Sequence, residues 1–141
     1  MSPDDQASVN HDEIRQMLSQ HQDKMKTALR VCAHCSLCAE SCFLYHVHDG
    51  DPRYMPSHKF INSIGKLYKK KGKIDREEFE EIKEIAWRRC VLCTRCYCPL
   101  GIDIPEMIAL ARDICRSQDV YFEWSDLEQP ETSSEEPPSE R

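Results

Sequence analysis

The sequence predicts a mostly α protein, and three observations carry that expectation. Apolar residues recur at helical spacing in successive stretches, no section is rich in strand signals, and two cysteine runs are each entered from a helix.

The elements follow in order. Residues 1–9 read as a disordered N-terminus, and residues 10–118 as the folded domain. A helix is expected from Asn10, which with Glu13 makes a capping-box pattern. Ile14, Met17, Leu18, Met25 and Leu29 form its apolar stripe and deliver the chain to Cys32. Packing is the expected role of that stripe; a partner-binding role for its methionines is the alternative. Cys38 to Val47 should be a short helix whose Phe43, Leu44 and Tyr45 shield a bound group from water. His46, His48, Asp49, Gly50, Asp51 and Pro52 compose a turn. Its histidines read as surface residues before they read as metal ligands.

Pro56 and Ser57 open a second helix, with Phe60, Ile61, Ile64, Leu67 and Tyr68 on its apolar face and Gly72 at its end. Lys66, Lys69, Lys70, Lys71 and Lys73 make a basic run there. It is either a solvated face favoured by the helix dipole, or a contact for an acidic partner or anionic membrane surface. Asp75 with Glu78 caps a third helix, which buries Phe79, Ile82, Ile85 and Ala86 and feeds Cys90. Pro99-Leu-Gly101 turns the chain, and Pro105 opens a last helix through about Ser117, carrying Met107, Ile108, Ala111 and Ile114. Residues 125–141 are rich in Glu, Pro and Ser and read as a disordered acidic tail.

The chemistry lies in the cysteines. Cys32-Ala-His-Cys35-Ser-Leu-Cys38-Ala-Glu-Ser-Cys42 reads C-x2-C-x2-C-x3-C, the spacing that wraps a peptide around an iron–sulfur cubane. Cys90-Val-Leu-Cys93-Thr-Arg-Cys96-Tyr-Cys98-Pro99 is a distorted echo. In such runs three thiolates serve one cluster and the fourth reaches a second. Zinc favours a knuckle pair, a gap and a second pair, so the spacing weighs toward iron and sulfide. His34, inside the first loop, either tunes a cluster by hydrogen bonding or is simply exposed.

Composition sets bounds. At 141 residues the chain fits one domain of the usual size, roughly 100–150 residues. Its apolar core should be thin, so bound clusters would supply much of the folding free energy. Nine cysteines would suit secreted disulfides, but the count is odd, the start is polar and acidic, and the spacing is a metal spacing. No window approaches the roughly 18–20 apolar residues of a membrane span. A reducing cytoplasmic location is expected, and the net charge of -6 argues against nucleic acid as a partner.

These motifs, together with the closing Cys-Pro-Leu-Gly-Ile-Asp-Ile-Pro, resemble the α-helical 4Fe-4S dicluster ferredoxin module over roughly Ala28 to Ser117. That module occurs in iron–sulfur subunits of succinate dehydrogenase, anaerobic glycerol-3-phosphate dehydrogenase and heterodisulfide reductase. The segment from His48 through Lys73 resembles one branch more closely still, the heterodisulfide-reductase-like iron–sulfur subunits of membrane redox complexes in sulfate-reducing anaerobes. The resemblance implies two [4Fe-4S] clusters, the first on Cys32, Cys35, Cys38 and Cys98, the second on Cys90, Cys93, Cys96 and Cys42. It further implies a non-catalytic electron-transfer subunit. Its expected neighbours are a catalytic cysteine-rich or flavin subunit and, in a membrane complex, a quinone- or cytochrome-linked subunit. The location would then be cytoplasmic, or peripheral on the cytoplasmic face. Any catalytic site would lie on another subunit, since nothing after Ser117 offers one.

Two residues depart from the family pattern. Phe43 stands where a proline usually follows Cys42, and only Tyr97 separates Cys96 from Cys98 where three residues are usual. The short step leaves Cys115 as a spare ligand for the first cluster; otherwise Cys115 is a buried small apolar side chain. A zinc-stabilised interaction module without redox activity is the competing function. An independent enzyme is disfavoured, because no nucleophile–base set and no Gly-rich phosphate loop can be found.

Overall fold

The computed structural model describes residues 9–121, so the expectations for residues 1–8 and 125–141 lie outside it. Among the described residues there are seven α-helices: α1 (His11–Gln20), α2 (Gln22–Val31), α3 (Phe43–Val47), α4 (Pro56–Asn62), α5 (Ile64–Lys69), α6 (Arg76–Lys83) and α7 (Ile104–Ser117). Short 3-10 turns occupy Leu37–Ser41 and Pro52–Tyr54, and a π turn spans Glu84–Arg88. Among the described residues there is no β-strand, as a mostly α chain requires.

Three expected helices are broken, each for a local reason. The first bends at His21, because no apolar residue between Leu18 and Met25 holds a continuous stripe there. The Cys38–Val47 segment splits at Cys42, whose extended backbone (φ −96°, ψ 110°) separates a 3-10 turn from α3. The helix opened by Pro56 breaks at the fully buried Ser63, whose hydroxyl donates to the Lys59 carbonyl at 2.7 Å. Such back-bonding competes with the helical ladder and bends it. Gly65, just beyond the break, admits α2: a Cβ there would stand 3.0 Å from Leu29 Cδ2.

Helix α7 is the central element, packed against α1, α4, α5, α6 and the π turn. Phe60, Ile64, Leu67, Phe79 and Ile82 are fully buried in one core with its own Ile108 and Ile114. The Asp75–Glu78 capping box forms in both directions, as its spacing predicts. The one at Asn10 forms by half. Asn10 Oδ1 accepts from the Glu13 N–H at 3.1 Å, but the Asn10 N–H donates to Gln118 Oε1 at 2.7 Å instead of to Glu13. That bond fastens the end of α7 to the start of α1. Val9 and Val120 pack on the core, so the folded unit reaches one or two residues past 10–118 at each end. Gly72 ends α5 with φ 79°, where any Cβ would meet Ile14 Cγ2 at 2.8 Å.

The basic run is partly spent within the chain. Lys66 pairs with Glu81 at 3.0 Å, and Lys70 with Glu78. Lys70 holds the Glu78 carboxyl below the usual carboxylate range, through its hydrogen bond first.

Candidate metal centres

Both cysteine runs are irregular backbone with one shared habit. His34 (φ 55°) and Ser36 (φ 68°) flank Cys35 in the left-handed region; Leu92 (φ 53°) and Thr94 (φ 63°) flank Cys93 in the same way. None is glycine, and each such residue costs on the order of 1–3 kcal/mol, a strain that concentrates at functional sites. Left-handed residues in tight turns also build the backbone N–H concavities found at anion and iron–sulfur sites. Two loops of different intervening sequence therefore share one costly conformation.

The structure gathers the eight cysteines into two sets of four. One recess is lined by Cys32, Cys35, Cys38 and Cys98, with Phe60 and Ile104 behind them. The other is lined by Cys42, Cys90, Cys93 and Cys96, with Lys59 and Ile108. Ile104 lines both. Each recess thus takes three cysteines from one run and one from the other. The short Cys96-Tyr97-Cys98 step does not keep Cys98 from the first recess: Cys98 lines the first and Cys96 the second. Among the described residues no three His, Cys, Asp or Glu side chains converge as on a single ion; the thiols ring each recess instead.

A hydrogen-bonded tie sits where the runs cross. Ser41 Oγ donates to the Cys38 carbonyl at 3.1 Å and accepts from the Tyr97 N–H at 3.0 Å. Its neighbours on one side are Cys38 and Cys42, and on the other Cys96 and Cys98. The Cys90 end is held from α7. Arg112 Nε donates to the Ala86 carbonyl at 2.8 Å and Nη2 to the Cys90 carbonyl at 2.7 Å, while the guanidinium lies 5.3 Å from the Trp87 ring centroid. The Ala86 carbonyl lies in the closing turn of the π segment, where carbonyls lack intrahelical partners.

The second recess is the more enclosed electrostatically. Lys59 is 2 % exposed, with Nζ 3.5 Å from Cys42 Sγ. Burial pushes the Cys96 thiol up to about 12; Cys90, Cys42 and Cys93 add to this and Lys59 opposes it. A thiol so reluctant to ionise alone gives up its proton to a metal. Cys115, fully buried on α7 and also pushed up to about 12 by burial, lines neither recess.

The expected shield is uneven. Phe43 and Leu44 line the second recess, though Phe43 is half exposed, while Tyr45 turns toward Gly50. His34 is exposed at the rim of the first recess, His46 bonds the Glu40 carbonyl, and His48 stacks on Tyr54. Lys59, Ser41 and Arg112 went unread in the sequence. Only Lys59 left a signal, as a lysine inside the buried stripe Pro56, Phe60, Ser63 and Ile64.

A helical chain carrying two cysteine-ringed recesses, each furnished by both runs, has the build of a ferredoxin-like iron–sulfur module. Residues 28–102 match the family model of the 4Fe-4S dicluster domain, and the chain belongs to that family. No curated protein and no solved structure matches it. The chain is an iron–sulfur, metal-binding protein, and electron transfer through 4Fe-4S clusters is the activity its family indicates. Among the described residues no helix is long and apolar enough to cross a membrane.

Proposed function

We propose that this chain relays electrons through two [4Fe-4S] clusters between partner subunits of a larger oxidoreductase complex. Cys32, Cys35, Cys38 and Cys98 would hold the first cluster, and Cys42, Cys90, Cys93 and Cys96 the second. The observation that carries the reading is the sorting of eight cysteines into two recesses of four. When bound, each cluster supplies one-electron redox chemistry. The protein's own share is to hold the thiolates in strained loops, tie the two loops at Ser41 and exclude water with Phe60, Ile104 and Ile108.

The resemblance of His48–Lys73 favours a heterodisulfide-reductase-like complex of anaerobes, with a cysteine-rich or flavin subunit as one neighbour and a membrane quinone- or cytochrome-linked subunit as another. Exposed Leu37, Phe43, Val91, Tyr97 and Leu100 lie in or beside the loops, which suits docking there. The test is iron, acid-labile sulfide and zinc analysis of anaerobically purified protein, with EPR of the reduced sample. About eight irons and eight sulfides per chain are expected for two cubanes. About seven irons with a three-iron signal would remove Cys98 as a ligand. Near two zincs without sulfide would replace the relay by a structural zinc module.

A further inference from the structure

The two recesses differ most in one side chain. Lys59 enters the second from α4, buried to 2 % exposure, and its Nζ lies 3.5 Å from Cys42 Sγ. No charged partner of Lys59 exists among the described residues: the nine ion pairs there involve other side chains. A buried cation without a counter-charge is costly and is retained where an anion arrives. Cys42 offers two hydrogen bonds as a thiol, donating to the Tyr54 carbonyl at 3.6 Å and accepting from Lys59. A metal-bound thiolate has no proton to donate, so the Lys59 contact is the one that survives loading. Arg112, held against the Cys90 carbonyl, adds a second positive group beside a cysteine of the same recess. The first recess has no lysine or arginine in its lining; its polar residues are His34, Ser36 and Ser57.

We infer that Lys59 is a positioning residue for the second cluster that raises its reduction potential above that of the first, so that an electron rests at the second site. The inference rests on the ligand reading proposed above. A cluster with four thiolates is an anion that gains negative charge on reduction, and a desolvated positive group hydrogen-bonded to one sulfur favours the reduced form. Direction follows from this order: electrons entering at the first recess run downhill to the second.

The experiment is an EPR-monitored redox titration of the full chain, purified without air, with iron and sulfide counted in every sample. The unaltered chain is compared with Lys59→Met, Lys59→Arg and the surface control Lys66→Met. In Lys59→Met the higher of two midpoints should fall, by about 59 mV for each tenfold loss in ease of reduction. The lower midpoint should stay, Lys59→Arg should recover most of the shift, and Lys66→Met should move neither. A Met variant with full iron and both midpoints unmoved overturns the proposal, as does movement of the lower midpoint. If the Met variant loses iron, recovery in Lys59→Arg supports the charged contact; equal loss in both makes Lys59 a packing residue and overturns it. An unaltered chain without sulfide would overturn the ligand reading, and this inference with it, before any variant is compared.

Discussion

The two cysteine loops are alike in backbone and unlike in surroundings. Both bend through left-handed residues on either side of their middle cysteine. Around the first recess Cys38 is buried but Cys35 and His34 are exposed; around the second Cys90 and Cys42 are buried and no cysteine is fully exposed, with Lys59 and Arg112 supplying positive charge. Local spacing therefore sets the shape of a cluster loop, while tertiary packing sets its electrostatics. One motif used twice can give two sites with different properties.

The comparison breaks most severely at the middle cysteines. Cys35→Ser and Cys93→Ser occupy equivalent places, and each should cost the chain most of its iron and its cooperative unfolding, because each recess borrows a ligand from the other run. Circular dichroism with iron counting decides this; a Cys35→Ser chain with full iron and native helicity would refute the ligand sets. Next in size is the contrast between Cys98 and Cys115. Cys98→Ser should lose cluster iron from the first recess, while Cys115→Ala should keep all of it and lose about 1–2 kcal/mol of stability from a small core cavity. Arg112→Ala should cost about 2–3 kcal/mol by stranding the Ala86 and Cys90 carbonyls, measurable by denaturant titration. Arg112→Lys should recover little, since the two bonds need a planar fork. Ser41→Ala should cost about 1 kcal/mol by the same measurement and loosen both recesses together.

The smallest effect lies away from both loops and serves as a baseline. Glu78 has its carboxyl held below the ordinary range by Lys70. That contribution is present above the unfolded carboxylate value and is lost as pH falls through the lower folded value. Acid should therefore weaken the unaltered chain slightly more than Glu78→Gln, by less than about 1 kcal/mol as for exposed pairs. Denaturation midpoints measured against pH in both proteins check the sign.

Much of the architecture was legible because helices here announce themselves by period and cap. Asp75 with Glu78, Pro56, Pro105 and Gly72 all stand where their spacing places them. The breaks at His21, Cys42 and Ser63 were not legible. At Ser63 a side-chain hydrogen bond hidden behind a continuous apolar stripe makes the break, at Cys42 an extended backbone does, and the gap between Leu18 and Met25 does not by itself say that the chain bends. The grouping of Cys98 with the first run could be expected only through resemblance, because a single spacer residue says nothing about which way a thiol faces. Lys59 was visible in principle, since a lysine on a buried stripe needs a partner. Arg112 was not, because its partners are main-chain carbonyls 22 and 26 residues away.

The tie between Ser41 and Tyr97 has a consequence for assembly. It spans 56 positions of chain, and closing a loop of that length costs roughly 3–4 kcal/mol of entropy. With the proposed ligand sets, filling either recess already closes that loop, since each set draws on both runs. The remaining four thiols then face their metal at an effective concentration set by a short tether instead of by a free chain. Loading should accordingly be all-or-none, with chains carrying a single cluster scarce at partial iron supply.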